Sequence, residues 1–149
     1  MSRVWTEGRG TEVVRGRSGG LCEICGVRPG ESFSHRLAAG KGGTWRPSNG
    51  LRTCGDGTRL CHGWLEAHPI WAGEGGWHVR RNPVDPALQP AYLRPALAWP
   101  GWWLVTDADP GIYVAVDPAD YGLPEVPEHL PYVPPGGRPL ATVPWVDPR

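Results

Sequence analysis

Four cysteines carry the spacing in this chain that most directly implies chemistry. Cys22 and Cys25 stand in the string CEIC, and Cys54 and Cys61 close the string CGDGTRLC. Two close pairs separated by 28 residues make the layout of a four-thiolate zinc site. Two residues between thiols let one turn aim both sulfurs at a single ion, about 2.3 Å from each. The second pair has six intervening residues, but Gly55, Asp56 and Gly57 are loop formers that allow the chain to fold back. A structural Zn2+ is the expected occupant, and in so glycine-rich a module it supplies about 10 kcal/mol or more of folding free energy. The alternative is a set of free or redox-active thiols. CEIC lacks the βαβ surroundings of a thioredoxin-like motif.

The elements that must hold these thiols are short. Residues 3–17 read as a helix with Val4, Val13 and Val14 as its apolar points, ended by Gly19 and Gly20. Residues 31–37 (ESFSHRL) read as a strand, 38–43 as a flexible loop and 47–50 as a turn leading into Leu51–Thr53. Cys61–Ala67 has helical spacing, with Glu66 four residues after His62. Pro69 suits the start of a second helical turn to Glu74, and residues 76–80 (GWHVR) read as a strand. A hairpin is expected from Gly101–Thr106 and Ile112–Val116 across the turn residues 107–111.

Composition changes along the chain of 149 residues. Residues 1–80 hold 17 of the 22 glycines, net charge +4, all the cysteines and four of the five histidines; residues 81–149 hold 15 of the 18 prolines and net charge −4. The chemistry therefore belongs to the first part. Residues 1–85 read as the functional module, 86–117 as a β-hairpin extension, and 118–149 as a proline-rich acidic tail without periodicity, expected to be extended and disordered. Aliphatic residues are few, so the core is expected to rest on the nine tryptophans, with Trp64 over the zinc site and Trp71, Trp77, Trp99, Trp102 and Trp103 beside the hairpin. No apolar run approaches the ~20 residues of a membrane span, and the N-terminus has no apolar h-region, so no membrane partner and a cytoplasmic location are expected.

His35, Asn49 and His62 lie within the cysteine framework, in that order. Each alone is more often bland: a surface histidine, a turn former, a helix-start residue. Together with the strings RSGGLCEICG, SHRLAAGKGG, SNGLRTCG, CHGWLEAHP and GWHV, they give residues 12–85 a pattern that resembles the HNH endonucleases. The likeness is greatest to the small zinc-containing versions of actinobacterial genomes and their phages. The resemblance implies an α+β chain: a small zinc-stabilised ββα-metal (treble-clef) fold, with the hairpin extension and irregular tail added.

It further implies a metal-dependent endonuclease acting on DNA in a bacterial or phage-infected cell, with a nicking or packaging role beside phage packaging proteins by analogy. Cys22, Cys25, Cys54 and Cys61 would hold the structural zinc. His35 would be the general base, Asn49 would hold the loop between the two strands and so orient His35, and His62 would bind a catalytic divalent ion, Mg2+, Mn2+ or Ni2+. An imidazole titrates near neutral pH and can take a proton from water, while a divalent ion neutralises charge developing on the phosphoryl and leaving oxygens.

The chain departs from the family at Ser34, where an Asp or His metal ligand is usual. Glu66, one helical turn past His62, is the expected compensating ligand; Glu31, on the opposite strand face from Ser34, is the poorer one. Ser34 also supports the rival reading, a catalytically weak or inactive zinc-binding module that binds nucleic acid or a protein partner. Arg36, Lys41 and Arg46, with Trp45 for stacking, make a loop that can lie along a phosphate backbone. His68, before a proline, and His78, alternating with Trp77 in the expected strand, read as bland.

Overall fold

The computed structural model describes residues 4–79, 85–96 and 98–131. The chain is mixed helix and sheet, and the described residues form two small antiparallel sheets and three α-helices. Helix α1 spans Glu7–Ser18. The Thr6 hydroxyl accepts from the Arg9 N–H, Glu7 stands at the positive end and Arg15 and Arg17 at the negative end, and Gly19, at φ 64°, turns the chain out. Its inward face is Gly10, Val13, Val14 and Ser18. Gly10 is obligatory there: a Cβ would stand 2.0 Å from the Trp45 carbonyl oxygen.

Strands β1 (Ser32–His35) and β2 (Gly50–Thr53) form a two-stranded ribbon in which Ser32 pairs with Thr53 and His35 with Gly50. Helices α2 (Leu60–Ala67) and α3 (Pro69–Glu74) follow, with Pro69 in the first turn of α3 as expected. Strands β3 (Ala91–Leu93), β4 (Gly101–Val105) and β5 (Tyr113–Ala115) make the second sheet in that order. The hairpin β4–β5 is where the sequence places it; β3, three residues long and flanked by prolines, is not anticipated. The core gathers the four cysteines, Ile24, Leu51, Leu65, Trp77, Tyr92, Leu93, Trp102 and Val105.

Three expectations are corrected. Residues 76–79 are not a strand: the Trp77 and His78 amides both donate to the Ala72 carbonyl at 3.0 Å, which closes α3 with a turn; Arg80 lies outside the described residues. Trp99 is not core but 77% exposed, while Trp77 and Trp102 are buried and Trp71 and Trp103 half-buried. Residues 118–131 are not loose. The Trp102 indole donates to the Pro124 carbonyl at 2.8 Å, Leu123 and Leu130 pack on the core, and His129 stacks on Trp71 at 4.1 Å with the rings 8° apart. Residues 132–149, the rest of the expected tail, lie outside the described residues.

Buried charge joins the layers. The Arg17 guanidinium donates twice to Glu23, both at 2.8 Å, and also to the carbonyls of Pro47 and Gly50. Glu23 accepts in addition from the Arg52 amide and from the Tyr113 hydroxyl. One carboxylate thus binds α1, the CEIC turn, β2 and β5. Burial and the Glu23 charge push the Tyr113 phenol far above its ordinary pKa, so it stays a donor. Removing one member of a buried ion pair leaves the other uncompensated, at a cost of about 3–5 kcal/mol. Arg17→Ala is therefore expected to lower unfolding stability by that amount in a denaturant titration, and Tyr113→Phe by about 1 kcal/mol.

Candidate metal centre and histidine cleft

The CEIC turn is shaped by its own backbone. The Cys22 amide donates to the Arg28 carbonyl at 2.8 Å, and the Gly26 amide to the Cys22 carbonyl at 2.8 Å with Gly26 at φ 69°. The Cys25 amide points at the Cys22 sulfur, 3.5 Å away. On the other side, Cys54 leaves β2 and Cys61 enters the first turn of α2. Between them Asp56 accepts from the Thr58 amide and hydroxyl, and the His62 amide donates to the Cys54 carbonyl at 3.1 Å, folding the six-residue loop back on itself.

The four sulfurs lie within 4.8 Å of one another, all buried, with Cys25 and Cys54 3.9 Å apart. Sulfurs bound tetrahedrally to one zinc stand about 3.8 Å apart, given bonds of about 2.3 Å. The cluster can therefore hold a metal ion such as zinc. Burial pushes the Cys22 and Cys61 thiols up in pKa, whereas hydrogen bonding, from Cys22 first, holds Cys25 and Cys54 down. Trp64 joins this core from α2 and stacks on Trp71.

A cleft of about 330 Å³ opens beside the cluster, lined among others by His35, Lys41, His62, Glu66 and His78. His35 ends β1, its ring 5.0 Å from that of Phe33 and 4.5 Å from that of Trp45. Asn49 ties down the loop that follows: its side chain accepts from the Leu37 amide at 2.7 Å and donates to the carbonyls of Leu37 and Thr44. Its carbonyl accepts from the Arg36 amide at 2.7 Å. His62 reaches the cleft from α2. Burial lowers the pKa of both imidazoles; His62 adds to the effect on His35, while Glu66 opposes it on His62.

Ser32, which the sequence reading passed over, orients His62. Its hydroxyl lies 2.7 Å from His62 Nδ1, 3.0 Å from the Gly55 carbonyl and 3.0 Å from Thr53 Oγ1. The assignment that satisfies all three has Ser32 donating to Gly55 and accepting from Thr53 and from His62 Nδ1–H. His62 Nε2 is then bare and faces Glu66 Oε1 at 3.6 Å.

His78, which reads as bland in the sequence, also lines the cleft. Its Nε2 stands 3.8 Å from the same Glu66 oxygen. The signal in the sequence was Trp77: with that indole buried and donating to the Tyr92 carbonyl, its neighbour must face another way.

Other expected residues fall elsewhere. Ser34 is fully buried, does not line the cleft, and its hydroxyl has no hydrogen-bond partner among the described residues. Arg36 borders the cleft, but its guanidinium is buried and donates to the carbonyls of Ser48, Gly76, Pro86 and Gln89, and burial pulls its pKa down to about 9. Arg46 is paired with Asp107 and Asp85. Trp45 packs against His35 and Phe33, and exposed Glu31 pairs with Arg59. Lys41 remains exposed at the cleft.

Chelation provides the test of the cysteine cluster. Purified protein is expected to carry one tightly held zinc, with its thiols unreactive until a strong chelator removes the ion and the far-UV spectrum collapses, since about 10 kcal/mol or more of folding free energy goes with it. Cys61→Ala should lower the zinc content. Redox-active thiols would instead react at once and show no bound metal.

Comparison with protein-family models, with curated proteins and with solved structures gave no match.

Proposed function

We propose that the chain is a metal-dependent endonuclease of the HNH type, hydrolysing DNA phosphodiester bonds, and that residues 21–67 form its zinc-stabilised ββα-metal (treble-clef) unit. The observation that carries this reading is convergence: His35 from β1 and His62 from α2 line one cleft, beside a cysteine cluster that joins the segments bearing them.

The donor set fits a divalent ion. His62 presents a bare Nε2, half-buried, and exposed Glu66 a carboxylate oxygen 3.6 Å away. Such an ion would neutralise charge on the phosphoryl and leaving oxygens. His35, whose pKa burial lowers, takes the proton from the attacking water. Asn49 keeps the loop after His35 closed, so the imidazole does not swing away from the cleft. Lys41 offers the phosphate a cation from the rim.

A specific observation favours the rival, a zinc module that binds nucleic acid or protein without cutting. Ser34 supplies no ligand to the cleft, and Arg36 and Arg46, the other expected backbone contacts, are spent within the chain. A supercoiled-plasmid assay separates the two. With Mn2+ or Mg2+ the wild-type protein is expected to nick DNA, and His35→Ala to slow the reaction by about 10²–10⁴-fold with zinc content intact. Under the rival reading the wild-type protein retards DNA in a gel or leaves it untouched, and converts none.

A further inference from the structure

A groove of about 500 Å³ opens against β4 and β5 and shares no residue with the histidine cleft. Its walls are rings and apolar chains: Trp99, Pro100, Trp102, Trp103, Val116 and Pro118. Of the eight tryptophans among the described residues, Trp99 alone is exposed, at 77%. An exposed indole beside two others in a concave apolar face marks a surface that another chain segment covers.

The walls are fixed by the fold. The Trp102 indole donates to the carbonyls of Pro124 and Glu125, at 2.8 and 3.2 Å, and Trp103 meets Tyr113 edge to face with centroids 6.0 Å apart. Glu125 also borders the groove, in a stretch of one sign: residues 98–131 carry six acidic side chains and no Lys or Arg. The fitting ligand is therefore apolar and extended, with a positive charge. Aromatic-lined grooves take proline-rich segments, whose extended form the pyrrolidine rings set in advance.

That chemistry stands in the chain itself. Residues 132–149 carry five prolines, with Arg138 and Arg149 against a single acid, Asp147. In a polyproline helix, with about three residues per turn, Leu140, Val143 and Val146 share one face. Pro131 is six residues past Glu125, so within roughly 20 Å of it, and the next 18 residues span up to about 55 Å at about 3.1 Å each. We propose that residues 138–146 dock in this groove of their own chain, laying Leu140, Val143 and Val146 against Trp99 and Trp103 with Arg138 toward Glu125. Tethering holds the segment at an effective concentration of about millimolar order, so a contact too weak to recruit a separate molecule is still kept. The proposal stands apart from the nuclease reading.

The test uses the full chain with zinc in the thiol site. Methyl-labelled protein is expected to show nuclear Overhauser contacts from the Trp99 ring to the methyl groups of Leu140, Val143 and Val146. A synthetic peptide of residues 132–149 supplies the second arm. It is expected to bind the triple variant Leu140→Asp, Val143→Asp, Val146→Asp, whose own segment is disabled, about tenfold or more tightly than it binds the wild type. Adding Trp99→Ala to that variant should abolish peptide binding, with zinc content and far-UV spectrum unchanged. Absence of contacts between Trp99 and the three methyl-bearing residues overturns the proposal, and so does a peptide that binds both proteins equally or neither. Contacts seen only between differently labelled chains place a second copy in the groove and overturn it too.

Discussion

The meeting of four sulfurs is the constraint on which the remainder of this structure depends. The segments that hold them in place have little else to support them: the CEIC turn, the four-residue strand that Cys54 follows and an eight-residue helix are each too short to persist alone. Because Cys61 is in the first turn of α2, fixing its sulfur also fixes where that helix begins and which way His62, the next residue, points. Because Cys54 directly follows β2, the same constraint sets the far end of the ribbon that carries His35 on its other strand. The position of the cleft is thus a consequence of thiol geometry, transmitted through covalent neighbours.

A second layer of organisation is polar. A chain poor in Leu, Ile and Phe closes its interior with guanidinium groups that are spent on the backbone. Arg17 serves Pro47 and Gly50 as well as Glu23, and Arg36 serves four carbonyls in three separate segments. Such groups would be costly if unpaired. Saturated, they bond irregular stretches that no sheet or helix could satisfy, which is where a glycine- and proline-rich chain has most of its peptide groups.

The legible parts of the sequence were those whose signal is local. The cysteine spacing, the helical step from His62 to Glu66, Pro69 at a helix start and the turn residues between β4 and β5 each carry their meaning within a few residues. What escaped depends on distant partners. β3 exists because β4 offers it an edge, not because Ala91–Leu93 is a strong strand former. Arg36 and Arg46 read as free cations, since nothing in their neighbourhood of sequence announces Gln89 or Asp107. His78 escaped because its meaning depends on Glu66, twelve residues back across a helix end. The stretch 118–131 escaped because its anchors, Trp71 and Trp102, lie in other elements.

One feature of β1 reaches beyond its own contacts. A ribbon of two four-residue strands is prone to slide by one position, and a slide of one would exchange the side chains on its two faces. Here Phe33 lies against Gly50, where any Cβ would stand 2.0 Å from the ring, and Arg36, just past the strand, is tethered at four points. The strand is stopped like a drawer against its frame. An imidazole placed by such a stop returns to the same point after each local opening, so accuracy at the cleft comes from two of its own walls, Phe33 and Arg36, whose anchors lie elsewhere in the chain.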